Sequence, residues 1–205
     1  TLVNNVETVY WLRDIIEKGP LWYSEQGKNG RKGFHSFSVS GRVNNPGVKV
    51  APAGITVKEL IDDYSGGMLH GHNFKAYLPG GASGGILPAT LNNIPLDYGL
   101  KALEDEGCFL GSAAIVILSD KDKMKDVGLS LLRFFEEESC GQCTPCRVGT
   151  EKTVKEMQKE KWSKLALEDL SIVMADASIC GLGQAACNPL KSIIKYFPEE
   201  LELHD

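Results

Sequence analysis

Ser139-Cys140-Gly141-Gln142-Cys143-Thr144-Pro145-Cys146-Arg147 places three thiols at steps of three residues. Thiolates are soft ligands suited to zinc or iron–sulfur centres. A tight loop taking two consecutive Cys-x-x-Cys steps can reach three corners of a [4Fe–4S] cube, leaving the fourth ligand to come from elsewhere in the chain. Structural zinc more often uses two separated Cys-x-x-Cys or Cys/His pairs, and disulfide frameworks belong to smaller secreted chains. The spacing therefore favours a cubane cluster over a zinc staple or disulfides. Gly141 relieves crowding where the loop would wrap the cluster, and Pro145 removes a donor and fixes a bend. A helix expected to start near Arg147 would point its free N–H groups and positive dipole end at the sulfurs.

Three cysteines remain as candidates for the fourth ligand. Cys180 lies in Ser178-Ile179-Cys180-Gly181-Leu182-Gly183, a glycine-punctuated break between two helical stretches that can carry a thiol to the end of an adjacent bundle. Cys187, two residues ahead of Pro189, is the reserve. Cys108 precedes an apolar strand and reads as a packed small hydrophobe. His70-Gly71-His72 reads as surface polarity, Glu136-Glu137-Glu138 as a solvated face, and Pro79-Gly80-Gly81-Ala82-Ser83-Gly84-Gly85 as a flexible turn, since no Gly-Lys-Ser/Thr follows it. No Ser/His/Asp or Cys/His catalytic set emerges, and no Gly-x-Gly-x-x-Gly follows a strand.

The elements that must position these thiols fall into three expected regions. In 1–33, Asn5 caps a helix in which Val6, Val9, Leu12, Ile15 and Ile16 recur at helical spacing up to Gly19-Pro20, followed by a Gly/Lys-rich loop. In 34–120, His35–Ser40 alternates as a strand, and Asn44-Asn45-Pro46-Gly47 signals a turn before Val48-Lys49-Val50. Thr56 and Glu59 form a capping box. Phe74–Leu78 and Ala113–Leu118 read as strands and Tyr98–Glu106 as a short helix. Region 121–205 shows no strand pattern: the stretch around Val127, Leu131, Phe134 and Phe135, then Val148–Met157, Leu165–Met174 and Pro189–Tyr196, predict a four-helix bundle. The fold class expected is α+β, a β-grasp-like domain followed by an all-α bundle carrying the cluster.

The 205 residues hold 42% apolar and 24% charged side chains, an ordinary globular balance. With 22 Lys and Arg against 27 Asp and Glu, the net charge is −5, which gives no electrostatic reason to expect nucleic acid or an anionic membrane as partner. No apolar run approaches the roughly 20 residues a bilayer span needs, so direct membrane insertion is not expected. The opening Thr1-Leu2-Val3-Asn4-Asn5 lacks a methionine and reads like the interior of a longer protein. Retained thiolates suit a reducing compartment, with the cytoplasm expected.

Glu138 through Arg147, with Gly149-Thr150, resembles the cluster motif of the NADH-oxidising flavoprotein subunits, a family that includes the 51-kilodalton subunit of complex I and the β subunits of NAD-dependent hydrogenases and formate dehydrogenases. Val3-Asn4-Asn5-Val6-Glu7-Thr8 resembles the end of that family's flavin domain, and Ser178–Gln184 the loop with its fourth ligand. Phe37–Pro46, with Val39-Ser40-Gly41 and Asn45-Pro46-Gly47, resembles its soluble-ligand-binding β-grasp insert. The resemblance covers essentially the whole chain in order, and Gly80–Gly85 with Ser139–Thr150 most resembles the soluble formate dehydrogenase branch.

It implies electron flow between NADH, FMN and a [4Fe–4S] cluster held by Cys140, Cys143, Cys146 and Cys180. Asn4, Asn5 and Thr8 are implied to touch FMN, with Leu182 approaching the flavin. The implied partners are other subunits of a multi-subunit NAD-linked oxidoreductase, including a ferredoxin-like [2Fe–2S] subunit. The glycine-rich domain that binds most of FMN and NAD(H) is missing from this sequence, so the chain alone is not expected to oxidise NADH. Cys187 stands where the family pattern has Pro or a small apolar residue, which leaves a second thiol near the cluster. Two other readings stay open: the same portion of the complex I subunit, and a non-redox binding module stapled by a structural metal.

Overall fold

The computed structural model describes residues 1–204; Asp205, the last residue of the third expected region, lies outside the described residues. The chain opens with three short helices, α1 (Val6–Tyr10), α2 (Leu12–Lys18) and α3 (Pro20–Ser24). Asn5 caps α1 by accepting the Thr8 N–H at 3.1 Å, as its position predicts. The single helix expected here is instead divided at Trp11, and helical structure resumes beyond Gly19 because Pro20 is well suited to a first helical turn. Trp11 stacks on Phe34 with ring centroids 4.9 Å apart and so anchors this arm to the sheet. Its other face, Val6, Val9, Leu12 and Ile16, is exposed.

Strands β1 (Phe34–Gly41) and β2 (Gly47–Pro52) form an antiparallel hairpin around the Asn44–Gly47 turn, with Phe34 opposite Pro52 and Val39 opposite Gly47. Helix α4 (Val57–Glu59) follows and passes into a π-helical turn, Leu60–Tyr64. Its capping box is complete: Glu59 N–H donates to Thr56 Oγ1 and Thr56 N–H donates to Glu59 Oε2. The remaining elements of this region are β3 (Phe74–Leu78), β4 (Leu87–Pro88), α5 (Lys101–Glu104) and β5 (Ala114–Ser119). The sheet order is β2-β1-β5-β3-β4, with β5 parallel to β1 and antiparallel to β3.

Strand β5 is apolar at successive positions because both of its faces are covered. Ile115 and Ile117 enter one core with Phe37, Val39, Leu60, Leu96 and Leu103. Leu118 and Val116 face the other, where Ala76, Leu78 and Ile86 meet Leu132, Met157, Leu167, Leu190 and Ile193 from the helical region. The sheet and the helices are thus welded by a shared hydrophobic layer.

That region holds α6 (Met124–Glu137), α7 (Thr144–Met157), β6 (Trp162–Ser163), α8 (Lys164–Ala177), α9 (Gly181–Ala185), α10 (Asn188–Tyr196) and β7 (Leu203–His204). Two differences from expectation stand out. A five-residue helix, α9, fills the glycine-rich break, so the region carries five α-helices among the described residues. A two-residue parallel pair, β6 with β7, occupies a region that shows no strand pattern. So short a pair has no alternation to read; Trp162, buried and donating its indole N–H to Met157 O at 2.8 Å, fixes it in place.

The Gly80–Gly85 segment, expected as a flexible turn, is instead largely buried and includes a 3₁₀ turn, Ala82–Gly84. Asn188 on α10 donates to Ser83 O at 3.0 Å, and a Cβ at Gly85 would lie 2.5 Å from Cys108 Sγ. Gly80 and Gly84 let the backbone approach Phe109 and Leu110, and Gly85 lets it approach Cys108 and, on α10, Ser192.

Candidate metal centre

Helix α7 begins at Thr144, earlier than expected, with Cys143 as its N-cap and Pro145 in its first turn. Cys146 therefore lies on the helix itself and is buried, while Cys140 is exposed and Cys143 half-buried. Gly141 turns the chain with φ +73°, a left-handed conformation that glycine adopts without a Cβ clash. Arg147 braces this turn, donating to Gly141 O and, at 3.3 Å, to Thr144 Oγ1. Ser139 Oγ lies 3.3 Å from Cys146 Sγ and accepts the Gly141 N–H.

The second half of the centre comes from the α8–α9 junction. Helix α8 ends on Ser178, whose N–H reaches Met174 O, and Cys180 is the N-cap of α9. Gln184 donates its side-chain N–H to Ser178 O at 3.0 Å, tying the loop across its own bend. The two halves meet. The backbone N–H of Ile179, adjacent to Cys180, is the foremost group favouring the Cys143 thiolate and holds that thiol below its ordinary range; the Cys146 N–H acts in the same sense, against a smaller opposing effect of desolvation. Gly183 packs so tightly that an added Cβ would lie 2.9 Å from Cys146 Cβ and 2.4 Å from Ser178 Oγ.

The other two thiols are placed differently. Burial pushes the Cys108 thiol up to about 11, partly offset by the Ser192 hydroxyl. Burial also raises Cys187, which lies in the helical core near Ser171 and Thr153. Both are held as neutral packed thiols, whereas Cys180 is exposed beside the α7 motif. All six cysteines are unpaired.

A mononuclear tetrahedral site with 2.3 Å metal–sulfur bonds draws its sulfurs to about 3.8 Å of one another. Among the described residues, no three Cys, His, Asp or Glu side chains close on a single ion in that way. A cube, whose ligands attach to different irons, needs a wider ring of thiols. An all-cysteine donor set, N–H groups aimed at sulfur and the buried Ser178 hydroxyl, which makes no full hydrogen bond within the protein, fit such a group. The hydroxyl's influence reaches Cys143, where it is the weakest of the groups favouring the thiolate.

The residues expected on the flavin side lie on the opening arm. Asn4, Asn5 and Thr8 are exposed. Asn5 and Thr8 line an open cleft of about 270 Å³ with Glu7, Trp11, Tyr23, Phe34, His35 and Tyr98. Asn5 also borders a larger cleft of about 620 Å³. Neither cleft is lined by a cysteine. Leu182 is half-buried on α9, two residues from Cys180. Ser139, Ser178 and Gly183 gain a role that the sequence leaves unassigned; their nearness to the thiols in sequence is the only signal pointing to them.

Residues 126–204 match the family model described as the NADH-ubiquinone oxidoreductase-F iron-sulfur binding region. The chain is 33% identical over 210 residues to the F 2 subunit of NADH-quinone oxidoreductase from Rhizobium meliloti (strain 1021), covering 100% of this chain and 49% of that protein. It is 36% identical over 210 residues to the HndC subunit of the NADP-reducing hydrogenase of Solidesulfovibrio fructosivorans, covering 100% of this chain and 42% of that one. A crystal structure of NAD⁺-reducing [NiFe]-hydrogenase in the H₂-reduced state superposes with a TM-score of 0.81 at 31% identity, over 98% of this chain and 35% of that chain.

Residues 126–204 are an iron–sulfur binding region. The chain belongs to the family of the NADH-quinone oxidoreductase F subunits and the related hydrogenase subunits, with a [4Fe–4S] cluster as the cofactor of its iron–sulfur region. It spans about half the length of the curated relatives it matches. Among the described residues, no helix is long and apolar enough to cross a membrane.

Proposed function

We propose that this chain passes electrons between a flavin and a [4Fe–4S] cluster held by Cys140, Cys143, Cys146 and Cys180. The observation that carries the reading is the packing of Gly183 on Cys146, so close that an added Cβ would lie 2.9 Å from Cys146 Cβ, which supports a Cys180 loop held against the three-cysteine loop. When bound, the cluster supplies one-electron, outer-sphere transfer. The chain's own residues hold and tune the centre. Cys146 and Ile179 direct backbone N–H groups at sulfur, Ser139 lies against Cys146 Sγ, Gln184 fixes the Cys180 loop, and Arg147 adds positive charge beside Gly141.

Within this reading Asn4, Asn5, Thr8 and Leu182 lie on the FMN side, and FMN and NAD(H) act in the whole subunit. The three regions have distinct tasks: 1–33 closes the flavin domain, 34–120 is a β-grasp unit, supported by a hairpin, a crossing helix and a central parallel β1–β5 pair, and 121–205 is the helical cluster-binding unit. Partners are other subunits of an NAD-linked complex, among them a ferredoxin-like [2Fe–2S] subunit. Six unpaired cysteines suit the cytoplasm. A formate dehydrogenase parent rests on the Gly80–Gly85 resemblance; co-purification with a molybdenum or tungsten subunit tests it against a quinone- or hydrogenase-linked parent.

The test is iron and acid-labile sulfide analysis, with EPR after anaerobic reduction, on the whole subunit and its Cys180→Ser variant. The expected wild-type result is about four irons and four sulfides at this centre with a reduced cubane signal. The variant is expected to lose or convert the cluster. Zinc without sulfide refutes the electron-transfer reading, and a full, stable cluster in Cys180→Ser refutes the fourth ligand.

A further inference from the structure

Ser178 is the one side chain at this centre whose polar atom is buried and unsatisfied. The residue is 6% exposed, and its Oγ makes no full hydrogen bond within the protein. Burying a hydroxyl without a partner costs roughly 1–3 kcal/mol on protein mutational scales. Such an orphan calls for a partner that the polypeptide does not supply.

Its surroundings say where that partner lies. The residue is the C-cap of α8, and its carbonyl is pinned by Gln184, so its backbone is fixed. Its side chain sits beside Gly183, at the point where α9 approaches Cys146. Gly183, Gln184 and Cys146, which bracket it, belong to the two cysteine loops. Ser65, the other buried hydroxyl without a partner, lies in the turn after the π-helical segment, far along the chain from the cysteine loops.

We infer that the Ser178 hydroxyl donates a hydrogen bond to a sulfur of the bound cluster, at the seam where the three-cysteine loop and the Cys180 loop meet, and that this bond raises the reduction potential of the centre. The direction follows from charge. Reduction adds an electron to a group already negative, and a donor to sulfur withdraws density and favours the more negative state. Ser178 is thus a positioning and tuning residue, and it breaks and forms no covalent bond. The inference rests on the reading of Cys140, Cys143, Cys146 and Cys180 as ligands.

The experiment is an EPR-monitored redox titration of the whole subunit, wild type against Ser178→Ala and Ser178→Thr, with iron and sulfide measured on each sample. Ser178→Ala is expected to keep its cluster and to show about a tenfold lower ratio of reduced to oxidised centre at a fixed potential, which is a downward shift of about 59 mV for a one-electron couple. Ser178→Thr, which keeps the hydroxyl, is expected to return to the wild-type potential. An alanine variant with a full cluster and an unchanged potential overturns the inference. If the alanine variant cannot retain iron, a threonine variant that retains it with the wild-type potential supports the hydroxyl's role, and one that fails equally overturns it. A wild-type protein without iron and sulfide removes the ligand reading itself, an outcome distinct from all of these.

Discussion

Replacing Gly183 by alanine tests whether the two cysteine loops are held together by packing. A Cβ at this position would lie 2.4 Å from Ser178 Oγ, 2.7 Å from Ser178 Cβ and 2.9 Å from Cys146 Cβ. Carbon atoms at rest are about 3.5–4.0 Å apart. Two of the three obstacles are Cβ atoms, which no rotamer change can move, so the α7–α9 contact itself must open. Overpacking of this kind costs typically about 1–3 kcal/mol, and three simultaneous contacts on stiff atoms argue for the upper end. Alanine returns about 1 kcal/mol of helix propensity in α9, which leaves a net loss of about 2 kcal/mol. For a chain of this size that is a fall in Tm of about 4–8 °C. Gly181→Ala supplies the control, because nothing lies within 4 Å of a Cβ there. Thermal unfolding followed by circular dichroism, together with iron content, is expected to show Gly183→Ala less stable and poorer in iron, with Gly181→Ala unchanged or slightly more stable. Equal Tm and equal iron in the two variants would refute the reasoning.

Asp122 gives a prediction for pH. The Arg42 guanidinium, followed by the Ser119 N–H and hydroxyl, lowers its pKa from 3.8 to about 2 against the cost of burial. A depressed carboxylate stabilises the fold above its unfolded pKa, and that stability fades as pH falls from about 4 to about 2. Because Arg42 is half-exposed, Asp122→Asn is expected to cost about 1 kcal/mol at pH 7 in urea unfolding, with the gap to wild type closing near pH 2; a gap that does not change with pH contradicts it. Cysteine reactivity is a further check. After removal of iron with a chelator, brief iodoacetamide treatment is expected to modify Cys140 and Cys180 first, with Cys108 and Cys187 protected until the chain unfolds. Mass spectrometry showing Cys187 labelled as fast as Cys180 would count against the division into exposed and packed thiols.

The local chemistry of this protein was legible in its sequence. The Cys-x-x-Cys-x-x-Cys run, the Asn5 cap, the Thr56–Glu59 capping box and the Asn44–Gly47 hairpin turn depend on residues three or four apart, and their physics is confined to that span. The apolar run Ala113–Leu118 likewise announced a buried strand. Other features depend on partners that sequence spacing does not connect. The first helix divides at Trp11, whose ring stacks on Phe34, and the β6–β7 pair forms where Trp162 is buried in the core that Leu203 packs against. The glycines at 80–85 look like a loose turn until the Phe109–Leu110 backbone and α10 are seen lying against the segment.

At the centre, the sequence by itself determined the three-residue step of the thiols and the glycine-punctuated setting of Cys180, both of which are properties of side-chain chemistry and local turn composition. Only the tertiary structure decided that Cys187 is sequestered in the helical core while Cys180 caps a short helix beside Cys143, and that Ser178 and Gly183 lie at the seam between the loops. Burial and contact between segments more than thirty residues apart depend on how α7, α8 and α9 pack, and packing is a sum over many weak contacts that leaves no signature at any one position.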